Sequence, residues 1–258
     1  MPLLSIIVPV YNEEAELSRL IDLFMGVTLP IEREWIFIDD KSSDGSLSIL
    51  QSLAGKYAFR VIAQDKNQGK GAAVIRGLKE ARGDIIMVQD ADLEYDPHEI
   101  PALLEPILAG KADVVYGSRF KHSTLQVHRT YHYFVNRLLT FLSNLLSGIY
   151  LTDMETCYKV FRSDLIQAMN LRSRRFGLEV ELTAYIAKTR ARLYELPISY
   201  YPRTQLDGKK INWKDGLAAL YHLFYFNFLT PPSAAFRALP EKYLASAGSG
   251  AHGAPARR

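Results

Sequence analysis

Asp90 and Asp92 flank a single alanine, Ala91, and Glu94 follows two positions later. In an extended segment alternate side chains point the same way, so carboxylates at this spacing are expected to converge. Held that close they repel one another unless a cation lies between them, and hard oxygen ligands favour Mg²⁺ or Mn²⁺. The same residues also read as a solvated acidic turn leading into Asp96-Pro97. A second polar cluster pairs Val8-Pro9-Val10-Tyr11-Asn12-Glu13 with Ile38-Asp39-Asp40. The Tyr11 ring offers a face to a planar base, and the Asp40 carboxylate offers acceptors to a base or ribose. Helix capping by Asn12 and Asp39 is the competing reading, and it explains one acid of Asp39-Asp40 more easily than both.

The elements that carry these clusters alternate between strand and helix. Leu3 to Val10 is an apolar run interrupted by Ser5 and Pro9, and a helical pattern follows with Leu17, Leu20, Ile21 and Phe24 on one face. The unit repeats with a strand from Glu34 to Ile38 and a helix carrying Leu47, Ile49, Leu50 and Leu53. It repeats again from Phe59 to Ala63 with a helix through Leu78, and a fourth strand, Asp84 to Val88, delivers Gln89-Asp90-Ala91-Asp92. A short helix then runs from Pro101 to about Leu108 and a strand from Asp113 to Tyr116. This spacing predicts an α/β protein with a mainly parallel sheet flanked by helices, and such sheets bind ligands beyond the carboxyl ends of their strands. The polar clusters all fall at those ends. Gly69-Lys70-Gly71 matches neither GxxxxGK[ST] nor GxGxxG, so a P-loop ATPase or a dinucleotide dehydrogenase has little support. A tight turn and close helix packing is the expected role of the glycines, with Lys70 orienting the loop.

The 258 residues are 48% hydrophobic and 23% charged, with a formal net charge of +3, the proportions of one sizeable globular domain. That charge is too small to argue for nucleic acid, and Cys157, alone of its type, excludes a disulfide framework and is expected to be a small core residue. The N-terminus reads as a first strand with no secretory signal, and no apolar run reaches membrane-spanning length. Charge is asymmetric: Val114 to Thr152 holds no Asp or Glu, while Arg119, Lys121, Arg129 and Arg137 fall within it. Two apolar, aromatic stretches, residues 131–150 and 216–229, suit helices lying in a membrane interface. The expected organisation is one domain over residues 1–230, these helices included, and an extension over 231–258 whose Gly-, Ala-, Ser- and Pro-rich end is disordered.

VPVYNE (Val8 to Glu13), IDDKSSDGS (Ile38 to Ser46), NQGKGAA (Asn67 to Ala73), QDADLEYDP (Gln89 to Pro97) and GSRF (Gly117 to Phe120) occur in one order. Together they resemble the family 2 inverting glycosyltransferases, specifically the dolichyl-phosphate mannose synthase-like, polyprenyl-phosphate branch, over the chain to about Lys214. The resemblance implies a GT-A fold, a single Rossmann-like, mainly parallel mixed sheet, with amphipathic membrane-facing helices. It implies a nucleotide-sugar donor surrounded by Pro9, Tyr11, Glu13, Ile38, Asp40, Asp90, Ala91 and Asp92. It also implies a divalent Mg²⁺ or Mn²⁺ held by Asp90, Asp92 and Glu94, where relatives often carry glutamine at the last position. Arg203 with Gly208-Lys209-Lys210 resembles a loop that closes over the donor phosphates. A solvated hairpin is the other reading of that segment.

A polyprenyl phosphate presents a dianionic head on an insoluble tail, so its site needs fixed cations beside a membrane-facing apolar surface. Arg119 and Arg129 ahead of the 131–150 stretch meet that need, and the resemblance assigns Ser118 and Arg119, with Arg129 a weaker match, to the acceptor phosphate. Asp153 stands where relatives carry an aspartate near the reacting centre, which makes Asp92, Asp153 and Arg119 the expected catalytic residues. With a phosphate acceptor Asp153 would orient arginines; with a hydroxyl acceptor it would take the proton. Glu179 and Glu181 fall on a predicted helix with a structural or orienting role. The reading is metal-dependent, inverting transfer of a hexose from UDP-glucose or GDP-mannose to a polyprenyl phosphate. Its expected place is the cytoplasmic face of a membrane, bound peripherally, with a membrane-protein partner open and no nucleic acid. The alternatives are transfer to a hydroxyl of a lipid or glycan, or a catalytically silent nucleotide-sugar or membrane-binding module. A nucleotidyltransferase would carry a glycine-rich loop with Lys or Arg after the first strand, and this sequence has none there.

Overall fold

The computed structural model describes residues 1–121, 130–175, 177–202 and 213–244. Among these residues seven strands form one mixed sheet: β1 (Leu3–Val10), β2 (Glu32–Asp39), β3 (Arg60–Ala63), β4 (Ile85–Val88), β5 (Val114–Ser118), β6 (Lys159–Arg162) and β7 (Leu193–Pro197). Their order is β3-β2-β1-β4-β6-β5-β7; β6 runs antiparallel to β4 and β5, and every other pairing is parallel. Helices α1 (Glu14–Gly26), α2 (Ser46–Ala54), α3 (Lys70–Glu80) and α4 (Ile100–Leu108) connect the early strands. Beyond them come α5 (Thr130–Ser147), α6 (Ser163–Ile166), α7 (Leu178–Ile186), α8 (Trp213–Phe224), which continues as a π-helical turn over Tyr225–Leu229, and α9 (Pro232–Ala235).

The central strands are buried on both faces, as parallel strands covered by helices must be. Leu4, Ile6, Ile7 and Val8 of β1 and Ile36, Phe37 and Ile38 of β2 are fully buried, and Phe24 of α1 stacks on Trp35 with ring centroids 4.6 Å apart. The apolar face expected for α1 is the one it buries, Leu17, Leu20, Ile21 and Phe24. Strand β6 was not anticipated. It is four residues long and begins with a charge, Lys159, which the fold accommodates by directing the ammonium to the Met154 and Thr156 carbonyls and over the Tyr116 ring.

Past residue 230 the chain stays in contact with the domain: Asn170 donates its backbone N–H to the Ala235 carbonyl, Arg190 to that of Tyr243, and Phe236 and Tyr243 are buried. Among the described residues no helix is long and apolar enough to cross a membrane. Instead, α5 turns Phe134, Leu138, Phe141 and Leu145 outward, each 56–69% exposed. Their spacing places them on one helical face. Helix α8 packs beside α5 and exposes Leu220, Tyr221 and Phe224, followed by Phe228 and Leu229.

Candidate active site

The loops at the carboxyl ends of β1 and β2 are stitched together. Asn12 and Lys41, which among the described residues are the non-glycines with positive φ (55° and 61°), lie immediately beyond these strands. Asn12 does not cap α1; its Oδ1 accepts the Ser43 N–H at 2.8 Å, while Asp44 accepts the Glu14 N–H at 3.1 Å and the Ser46 N–H at 3.0 Å. Asp39 accepts the Ser42 N–H rather than one from α2, and its other oxygen is buried without a hydrogen-bond partner among the described residues. Asp40 is the anchor of the next loop: it accepts from Gln64 Nε2 at 2.7 Å, the Gln68 N–H at 2.8 Å and the Gly69 N–H at 2.7 Å. Tyr11 stands nearby, half exposed, while the Ile38 side chain is buried in the core and leaves only its backbone for a ligand.

Gly69 and Gly71 behave as the sequence suggests. Gly69 has φ of +95°, and a Cβ there would lie 2.6 Å from the Arg174 carbonyl oxygen; one on Gly71 would strike the Ser173 carbonyl. The contact draws the segment before α7 onto the start of α3. Lys70 thereby reaches Asp90 at 2.8 Å and Glu179 at 3.4 Å. Burial works against the ammonium, yet Asp90, ahead of Glu179, holds its pKa well above the ordinary lysine value. Glu181 accepts the Arg172 and Ser173 backbone N–H groups and so shapes the same segment.

The three acidic residues after β4 do not converge as the spacing argument predicts. Pairing ends at Val88 and residues 91–95 bend and turn, so the two-residue alternation no longer applies. Asp90 faces Lys70, Asp92 accepts the Glu94 N–H at 3.2 Å, and the Glu94 carboxylate accepts the Tyr200 hydroxyl at 2.8 Å. Among the described residues no group of three or more His, Cys, Asp or Glu side chains is arranged to hold a metal. The donor set fits a divalent ion in another manner, because Mg²⁺ is commonly held by one or two carboxylates plus substrate phosphates. Asp92, with Asp90 beside it, supplies such oxygens.

At the end of β5, Ser118 and Arg119 are buried. Asp153 accepts Arg119 Nε at 2.7 Å, Nη2 at 2.8 Å and the Arg119 backbone N–H at 3.0 Å, a bidentate fork. Ser118 Oγ lies 2.6 Å from Thr152 Oγ1. The guanidinium also lies over the Tyr200 ring, 5.1 Å from its centroid. Glu195 of β7 holds the Asp153 loop in turn, accepting the Thr152 and Asp153 N–H groups and pairing with Lys121 at 3.2 Å. Sequence reasoning missed Glu195 and Tyr200, for which no local pattern gives a signal. Arg129, Arg203, Lys209 and Lys210 lie outside the described residues.

Between Asp153 and Lys159 sits a further buried charge cluster. One oxygen of Glu155 is buried without a hydrogen-bond partner among the described residues. Burial first, and the Glu179 carboxylate second, push Glu155 up to about 7 against the opposing pull of Lys159 and Arg119. The folded state therefore holds a proton that the unfolded chain releases near the ordinary value of 4.5. Stability supplied by that proton is complete below about pH 4.5 and is lost as pH rises to about 7. Glu181, raised by burial, adds to the same slope, so the informative quantity is a difference between variants. Glu155→Gln is expected to flatten the pH dependence of urea unfolding between pH 5 and 7.5 relative to wild type; parallel curves would refute the assignment. Cys157 is buried and its thiol pKa is raised well above the ordinary value by burial, so it stays protonated.

The model of Glycosyl transferase family 2 matches residues 5–169. The chain is 40% identical over 116 residues to a dolichol-phosphate mannosyltransferase of Pyrococcus furiosus, a match covering 45% of this chain and 33% of that protein. It is 32% identical over 171 residues to an undecaprenyl-phosphate 4-deoxy-4-formamido-L-arabinose transferase of Pseudomonas aeruginosa, covering 65% of this chain and 49% of that protein. The matches thus span half or less of these relatives. In fold the chain is similar to glucosyl-3-phosphoglycerate synthase from Mycobacterium tuberculosis, solved with Mn²⁺, UDP and phosphoglyceric acid. That likeness has a TM-score of 0.66 and 17% identity over 88% of this chain and 79% of the other. The same synthase has been solved with Mg²⁺ and UDP, with a TM-score of 0.67, 18% identity, and coverage of 88% of this chain and 79% of that one.

Proposed function

Because the chain belongs to glycosyl transferase family 2, we propose that it transfers a hexose, with inversion, from a nucleotide-sugar such as UDP-glucose or GDP-mannose to a polyprenyl phosphate. The observation that carries this reading is the buried Arg119–Asp153 fork at the end of β5, beside the Lys70–Asp90–Glu179 cluster and Asp92. The two relatives, a dolichol-phosphate mannosyltransferase and an undecaprenyl-phosphate 4-deoxy-4-formamido-L-arabinose transferase, support the acceptor class.

A phosphate monoester has a second pKa of about 6 and is largely dianionic at pH 7, so it needs no base to attack. Arg119 binds the acceptor phosphate through the guanidinium N–H groups that Asp153 does not use, and Asp153 fixes the plane of that guanidinium. An acceptor oxygen forms a bond to the anomeric carbon as the bond to the nucleoside diphosphate breaks, the electron pair leaving with the diphosphate. Tyr11 stacks on the base, and Pro9, Glu13 and Asp40 shape its surroundings, Asp40 chiefly through the loop it anchors. A bound Mg²⁺ or Mn²⁺ on Asp92 would neutralise charge on the donor diphosphate. Arg203 and Lys209 would close over the donor and Arg129 would join Arg119. The exposed faces of α5 and α8 rest on the membrane surface, which brings the head group of an insoluble acceptor to the site.

The first test is thermal unfolding with UDP-glucose, UDP-galactose and GDP-mannose, each with and without Mn²⁺. A ligand present at a hundred times its Kd stabilises the folded state by about 2.7 kcal/mol. One donor is expected to raise the melting temperature in a metal-dependent way, and Asp92→Asn to abolish the metal-dependent part. Transfer to undecaprenyl or dolichyl phosphate is then measured directly; absence of any donor-induced shift would sink the reading.

Glu155 favours one second reading. A carboxyl group with a pKa of about 7 and an oxygen unpartnered among the described residues suits a general base, so a hydroxyl acceptor would lose its proton to Glu155 rather than to Asp153, which Arg119 occupies. Transfer to a lipid alcohol, lost in Glu155→Gln, would decide for it.

A further inference from the structure

A pocket of about 670 Å³ lies between the loop after β3, the segment before α7 and the inner side of α8. Four cations, Lys66, Arg172, Arg174 and Arg175, line it together with Tyr221 and His222, and no carboxylate is among its described lining residues. None of Tyr11, Asp40, Lys70, Asp92 and Arg119 lines it; Asn67 and Gln68, of the loop that Asp40 anchors, form one wall, so the pocket borders the donor region without including the acceptor group at Arg119. The Gly69 and Gly71 contacts fix the backbone from which Arg174 and Arg175 project. His222 is equally fixed: a Cβ on Gly177 would lie 2.7 Å from its ring, which stacks on Phe226 at 5.5 Å. Its Nδ1 is buried without a hydrogen-bond partner among the described residues.

Like charges gathered round one cavity repel unless an anion lies among them, and arginine forks match phosphate oxygens. The wall of the pocket also bears on what carries that phosphate. Tyr221 lines the pocket yet is 61% exposed, at the margin of the face on which α8 presents Leu220, Phe224 and Phe228. A lipid lying with its chains along that face brings its head group to the arginines. We propose that this pocket is a phosphate site for the head group of an anionic membrane lipid, a second anion site distinct from the acceptor site at Arg119. The inference rests on the membrane-surface reading of α5 and α8.

The test is co-flotation of the full chain with vesicles of phosphatidylcholine alone and of phosphatidylcholine with phosphatidylglycerol, expressed as the ratio of the two affinities. Three variants are compared with wild type: Arg174→Gln/Arg175→Gln, the charge-matched control Lys79→Gln/Lys111→Gln, and Ala218→Phe, which narrows the pocket without altering charge. The wild-type ratio is expected to exceed about tenfold, to fall at least fivefold in the arginine variant and in Ala218→Phe, and to hold in the control. A ratio kept by Ala218→Phe means diffuse attraction and overturns the pocket while leaving the membrane reading intact. Equal loss in both charge variants does the same. Absence of wild-type binding to either vesicle overturns the membrane reading, and the lipid source with it. In that case thermal stabilisation by glycerol phosphate without vesicles, lost in Ala218→Phe, would assign the phosphate chemistry to a soluble ligand.

Discussion

Arg119→Gln is expected to lower glycosyl transfer by about a hundred- to a thousandfold, the usual cost of removing one preorganised donor that faces charge in a transition state. Donor-induced thermal stabilisation should persist, because the nucleotide is assigned to Tyr11, Asp40 and Asp92 on other strands. Arg119→Lys separates charge from geometry. Lysine keeps the positive charge but cannot satisfy both Asp153 oxygens in one plane. Most of the loss should therefore remain, with the acceptor KM rising in the lysine variant and kcat falling in both. Transfer within tenfold of wild type in Arg119→Gln would remove this residue from the acceptor site and, with it, the main argument for a phosphate acceptor.

The second large effect is on stability. Asp153 is fully buried and its Arg119 partner nearly so, with side-chain exposures of 0% and 9%. Breaking such a pair by removing one member leaves an uncompensated buried charge, and Asp153→Ala is expected to cost about 3–5 kcal/mol. Part of that loss is the stranded guanidinium rather than the pair itself. A double variant, Asp153→Leu with Arg119→Met, should therefore recover much of it while remaining inactive. Urea midpoints of wild type, Asp153→Ala and the double variant measure this. Equal midpoints for Asp153→Ala and wild type would show that solvent reaches Arg119 and that the fork does not hold the loop.

These two predictions draw on residues whose visibility in the sequence differs. Arg119 follows a strand pattern and a GSRF motif, so its place at a strand end is legible. That Asp153 is its partner is weaker in sequence, 34 positions away, and that Glu195 holds the Asp153 loop is not visible at all. Glu195 lies 42 positions beyond Asp153 on a strand that pairs with β5, and no periodicity reports which distant strand becomes a neighbour. Tyr200 is hidden in the same way, since its roles under Arg119 and against Glu94 arise from a loop returning to the site.

Local physics was sufficient for much of the rest. Apolar runs ending in polar residues, separated by helices of 3.6-residue period, set the strand–helix order and put the chemistry at carboxyl ends, because backbone geometry alone enforces those periods. The glycines of Asn67-Gln68-Gly69-Lys70-Gly71 foretold a tight approach because they lack a Cβ. Where the chain stopped being regular, local reasoning stopped too. The alternation that would gather Asp90, Asp92 and Glu94 holds only in extended backbone, and the turn after Val88 sends them to Lys70, the Glu94 N–H and Tyr200. The antiparallel β6 escaped for a related reason: a strand beginning with a buried lysine is stable only because carbonyls of its own loop receive the ammonium. The sequence by itself determined the alternating α/β architecture and the candidate residues at the strand ends. The tertiary structure decided which charges meet, because pairing across the sheet depends on strand order and loop return, quantities that no stretch of local sequence encodes.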